Sequence, residues 1–142
     1  MRFSFTLLML LSICSLTLAE SPVGRWLSVD DESGKVEALV EIIEVDNEVQ
    51  GKIIDLIDPE EPNPKCEKCS GENENKPVIG LTIVWGLKES NGVWEGGYIL
   101  DPKSGRTYKS RLYLNENGQL EVLGYIGFAA LGRTQQWHRA EN

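Results

Sequence analysis

The chain has 142 residues and a formal charge of −8 at pH 7, with 22 acidic against 14 basic side chains. So acidic a protein is a poor match to nucleic acid or to an anionic lipid surface. The length allows one domain with one real core.

Residues 1–19, "MRFSFTLLMLLSICSLTLA", open with Arg2, continue through an apolar run from Phe5, and end with small residues at Thr17 and Ala19. This is the pattern of a secretory signal peptide cut after Ala19. The apolar run falls short of the ~20 residues that a bilayer span needs, and Ser and Thr interrupt it. Lipidation at Cys14 is disfavoured, because Ile13 is not the small residue that usually precedes a lipidated cysteine. Cleavage leaves residues 20–142 as a single domain of 123 residues. Arg2 is the only charge removed, so the formal charge moves from −8 to −9. No later stretch is long and apolar enough to span a membrane, and the expected location is periplasmic or secreted.

After the cut, strand and turn signals alternate. "GRWLSVD" (24–30) leads to the turn "DESG". In "KVEALVEIIEV" (35–45), Val36, Ala38, Val40 and Ile42 alternate with Glu37 and Glu41, the mark of a half-buried strand. Asp46-Asn47 turns the chain into "EVQGKIIDLID" (48–58), a hairpin. Helix is the main rival over 35–57; the turn residues and β-branched side chains favour strand. Residues 59–77 form a polar, proline-rich insertion without periodicity. "VIGLTIVWGLKES" (78–90), Asn91-Gly92 and "VWEGGYILD" (93–101) read as a second hairpin. "RTYKSRLYLN" (106–115), "QLEVLGYIG" (119–127) and "GRTQQWHRA" (132–140) complete eight strands. Gly96-Gly97, inside a strand, is expected at a bulge or barrel corner. An antiparallel meander hides its edges and covers its apolar face by closing. The expected fold is therefore all-β: an eight-stranded antiparallel up-and-down barrel, with a sandwich as the rival.

The Gly-x-Trp of "GRW" (24–26) on the first strand resembles the signature of lipocalin-like barrels. That resemblance implies a basic residue of the last strand over Trp26, with Arg133 expected ahead of Arg139. A wider resemblance is carried by "CEKC", "KPVIGLTIVWGL", "WEGGYILDPKSGRTY" and "LEVLGYIGFAALGRTQQW". In order and spacing these are similar to the bacterial domain of unknown function 2147, a family of small secreted proteins. The family implies a lipocalin-like barrel and supplies no catalytic residues to carry over.

Cys66 and Cys69 admit three readings. A closed zinc site wants about four ligands, but only these two cysteines remain after cleavage, and the single His138 lies far along the chain. A redox pair wants a helix N-terminus after a strand; here prolines and charges surround it. A disulfide staple needs only an oxidising compartment, and it ranks first, ahead of redox and then metal. No metal or cofactor is expected.

Asp101, with Asp55 or Glu95, would be the carboxylates of a hydrolase if they converge, although an Asp before Pro normally caps its turn. His138 has no neighbouring nucleophile in any motif and is expected to be an exposed edge residue. Arg111 alternates with Leu112 and is expected to face solvent. Trp85, Tyr98, Tyr108 and Tyr125 are the candidate lining of a hollow barrel, giving apolar contact with a polar handle. The apolar turn Phe128–Leu131 is expected to plug a barrel end.

The leading expectation is a binding module for a small apolar ligand, with the stapled loop as lid. An interaction or structural protein with a filled core comes second, and a carboxylate-dependent hydrolase third.

Overall fold

Tight turns set the strand order. Asp46, Asn47 and Asn91 adopt positive φ of 52°, 65° and 52°, and Gly92 follows at 80°, the left-handed pairs that suit two-residue hairpins. The computed structural model describes residues 20–141. The signal-peptide segment and Cys14 lie outside the described residues.

Eight strands run β1 (Gly24–Val29), β2 (Val36–Val45), β3 (Glu48–Leu56), β4 (Thr82–Ser90), β5 (Val93–Asp101), β6 (Arg106–Leu114), β7 (Leu120–Tyr125) and β8 (Arg133–Arg139). They form a closed barrel in sequential order, antiparallel throughout. The expected strand from residue 78 begins instead at Thr82. Val78 donates its amide to the Pro64 carbonyl, at 2.9 Å, and so belongs to the long β3–β4 connection.

Paired residues share a face of the sheet. Trp26↔Val40, Trp94↔Leu112, Leu112↔Val122 and Leu120↔Trp137 form the inner face. Trp26, Val40, Val84, Leu87, Leu112 and Leu120 have no exposed surface, so no water-sized space touches them. Trp137 and Trp94, at 1% and 9% exposure, complete a tryptophan-filled interior.

Closure brings Arg139 opposite Trp26. The guanidinium lies 4.2 Å from the centre of the indole ring. Arg139, not the expected Arg133, covers the tryptophan, because register places residue 139 beside residue 26. Arg133 instead pairs with Asp31 and Glu32 in the β1–β2 turn.

Gly96 and Gly97 mark a bulge and a close backbone approach. Gly96 has φ of 83°, and the β5–β6 register shifts between Glu95 and Gly97. A Cβ on Gly97 would collide with β4 backbone, including the Gly86 carbonyl carbon at 2.7 Å. The Phe128–Leu131 turn is not a plug. Phe128 and Leu131 are 77% and 79% exposed, and Ile126 beside them 69%.

Two neighbours on the inner face of β6 should respond in opposite directions. Leu112→Ala removes buried methyl groups and is expected to cost about 2–5 kcal/mol. Ser110 Oγ is buried with no hydrogen-bond partner among the described residues. Ser110→Ala removes that desolvated hydroxyl and is expected to stabilise by about 1 kcal/mol. Urea unfolding of the two variants checks both signs.

Candidate functional site

The long β3–β4 connection is organised by Cys66 and Cys69, which form a disulfide with Cα atoms 5.3 Å apart. Both residues are buried, although the segment around them is polar and exposed. The Cys66 amide donates to the Lys76 carbonyl at 2.8 Å, and its carbonyl accepts from Asn75 at 3.0 Å. The pair thereby fixes the return limb 71–77 of the loop. The loop also docks on the β5–β6 turn. Cys66 Sγ lies 3.4 Å from the Pro102 carbonyl oxygen, and a Cβ on Gly105 would overlap the backbone of Lys68 and Cys69.

That limb forms one wall of an open cleft of about 280 Å³, lined by Asn73, Lys76, Gly80, Leu81, Thr82 and Trp85. The other wall is the outer face of β4. Thr82 pairs with the exposed Lys52, and Trp85 pairs with the exposed Tyr98. A register shift in the β3–β4 pairing, between Gly51↔Val84 and Lys52↔Thr82, lets Thr82 and Trp85 share the outer face although they are three apart. The Trp85 and Tyr98 rings are 5.9 Å apart between centroids and tilted by 31°.

Three of the four predicted aromatics come together, on the wall of the barrel and not along its axis. Trp85↔Tyr98, Tyr98↔Lys109 and Lys109↔Tyr125 are successive pairs, so Trp85, Tyr98, Lys109 and Tyr125 form one row across four strands. Tyr108 faces inward. It pairs with Ile99, and both side chains lie over Gly124, whose added Cβ would meet them at 3.3 and 3.6 Å. Asn73 and Lys76 were not picked out from sequence. They sit in an aperiodic stretch, and only the Cys66 backbone bonds bring them opposite Trp85.

A family model described as "Uncharacterized protein conserved in bacteria (DUF2147)" matches residues 24–139. The chain belongs to the DUF2147 family. A solved structure titled "Protein HP1028 from the human pathogen Helicobacter pylori belongs to the lipocalin family" shares its fold. The TM-score is 0.73 at 22% identity, over 84% of this chain and 83% of that one. No curated protein matches in sequence. The lipocalin-like barrel is thus shared, and the Gly24-x-Trp26 start with Arg139 over the indole fits it.

The remaining candidates of this DUF2147 chain are spoken for locally. Asp101 accepts from the Lys103 amide at 3.0 Å and from Ser104 Oγ at 2.8 Å, capping its own turn. Asp55 accepts from the Leu56 amide at 2.9 Å, and Glu95 pairs with Arg111 at 3.4 Å. Arg111 lies between inward Ser110 and Leu112 and faces outward as expected, its side chain 39% exposed and paired with Glu95. His138 is exposed, on a strand that closure leaves without an edge. It lines a second outer cleft of about 430 Å³ with Asp30, Asp31, Glu121, Thr134 and Gln136. Glu121 there is already held by Asn115 and Gln136, at 3.0 and 2.9 Å. Among the described residues no group of three or more His, Cys, Asp or Glu is arranged to hold a metal ion. No described helix is long and apolar enough to cross a membrane.

Asp30, at the rim of the second cleft, caps the β1–β2 turn. Its carboxylate accepts from the Ser33 amide at 2.7 Å and the Glu32 amide at 3.0 Å. The bonds from Ser33 hold its pKa below the ordinary Asp value. A depressed folded-state pKa contributes stability above the unfolded value, about 4, that is lost as pH falls through the folded one. Asp30→Asn is therefore expected to narrow the stability gap to the parent as pH drops from about 5 to about 2. A series of urea unfolding curves tests this; a gap independent of pH contradicts it.

Proposed function

We propose that this DUF2147 member is an exported binding module that holds its ligand outside the barrel wall, in the Trp85 cleft. The observation that carries the reading is a division of the aromatic residues. Trp26, Trp94 and Trp137 are spent on the interior, whereas Trp85 is partly buried on one wall of an open cleft. Ligand sites combine apolar surface with a few placed polar groups; here Trp85 and Leu81 share the cleft with Thr82, Asn73 and Lys76. The axial pocket that the sequence invites is disfavoured by side chains with no exposed surface at the barrel centre. Export is supported by the signal-peptide pattern of residues 1–19 and by a disulfide that an oxidising compartment preserves.

A second reading, a protein-interaction module, is favoured by Ile126, Phe128 and Leu131, which stand largely in solvent.

Native mass spectrometry of protein recovered from its own cell envelope tests the first reading. The expected spectrum has a chain starting at Glu20, two protons lighter than its reduced mass, with a noncovalent adduct that Trp85→Ala abolishes. An adduct that survives Trp85→Ala, or a bare parent protein under gentle conditions, contradicts it.

A further inference from the structure

Resting on the reading that this cleft is the binding site, we propose that it takes a pyranose ring of a glycan. A sugar ring has a C–H face that is apolar and an edge of hydroxyls that both donate and accept. The two walls match those two aspects. Trp85 lines the cleft, and Tyr98, exposed beside it at 5.9 Å and tilted by 31°, extends the π surface beyond the cleft's edge. The negative face of such a surface attracts the weakly positive hydrogens of a sugar's C–H face. Across from it, the Asn73 amide donates and accepts and the Lys76 ammonium donates, while the Thr82 hydroxyl, on the β4 wall with Trp85, does both.

Other ligand classes fit less well. A purely apolar molecule would desolvate three polar side chains without giving them partners. A polyphosphate wants several cations. Lys76 is the only charged lining residue, in a chain of net charge −8. A peptide adding as an extra strand needs a free sheet edge, and the closed barrel has none. The cleft is open-sided and bounded by a segment that the disulfide holds in place. An open, preformed groove suits one unit within a longer chain, because the neighbouring units need not be enclosed. Beyond Tyr98, the row continues through Lys109 to Tyr125, a course along which further units can lie.

The test uses proton–nitrogen NMR of the purified protein, following the four indole N–H signals. The probes are N-acetylglucosamine tetraose, maltotetraose and cellotetraose, with 8-anilinonaphthalene-1-sulfonate as a non-sugar aromatic probe. At least one tetrasaccharide is expected to shift the Trp85 indole while Trp26, Trp94 and Trp137 stay put. Trp85→Ala should weaken that sugar roughly tenfold or more. Asn73→Ala, which leaves the barrel packing untouched, should weaken it roughly three- to tenfold. The matching monosaccharide should bind more weakly than the tetrasaccharide; equal affinity would remove the extended course towards Tyr125. If the anilinonaphthalene probe shifts Trp85 and no sugar does, the cleft binds ligands and the glycan assignment falls. If nothing shifts Trp85, both the assignment and the cleft fall. If a sugar binds and both variants bind it as the parent does, the site lies elsewhere and the assignment is overturned.

Discussion

Arg139 over Trp26, 4.2 Å from the ring centre, sits at the seam where the last strand meets the first. Around it the Trp26 indole donates to the Pro22 carbonyl at 2.8 Å. Arg139 reaches the carbonyls of Val23 and Ser21 at 3.3 and 3.4 Å, and the Ala140 amide reaches that of Arg25 at 2.9 Å. A cation–π contact is worth about 0.5–2 kcal/mol. Its larger consequence is geometric. With the seam made, every strand has two neighbours, no edge is left to recruit another chain, and the inner faces of all eight strands bury one another. With the seam open, the same sheet would expose two edges and the tryptophans beneath them.

Closure with three tryptophans inside has a price for function: the axis is taken. The proposed binding site therefore lies outside the wall, where the long β3–β4 connection supplies what a bare sheet lacks, a second wall. A four-residue disulfide ring removes little chain entropy, about 2 kcal/mol or less. Its weight here is positional. Cys66 bonds to Lys76 and Asn75 through its backbone, so the ring orients the limb that faces Trp85. Gly105 completes the arrangement by letting the Lys68 carbonyl approach where a side chain would stand.

Turn chemistry made the fold readable. Asp46-Asn47, Asn91-Gly92, the other turn signals and the alternation between them place seven of eight strand starts within a residue of where they lie, and sequential order points to a barrel. Four things resisted. Face assignment across β4 and β5 did, because register shifts beside Gly51 and Gly97 break the two-residue period; alternation cannot say that Trp85 turns outward. Residues 78–81 read as strand because Val78, Ile79 and Leu81 are apolar; Gly80 and Leu81 do exchange bonds with Ile53 of β3, but Val78 bonds to Pro64 inside the connection. The choice between Arg133 and Arg139 needed the β1–β8 register, which no local pattern encodes. The apolar turn at 128–131 was expected to avoid water by plugging the barrel, and it remains exposed. Of the site, the disulfide was legible from two cysteines behind a signal-peptide-like segment; Asn73 and Lys76 were not, since they belong to it through tertiary contacts alone.

Acrylamide quenching of tryptophan fluorescence, compared between the parent and Trp85→Phe, addresses the filled interior most directly. With Trp26, Trp94 and Trp137 at 0%, 9% and 1% exposure, Trp85→Phe should abolish nearly all quenching and leave a blue-shifted emission. Quenching that persists at the parent's level would mean that solvent reaches the interior tryptophans, and that the barrel is hollow after all.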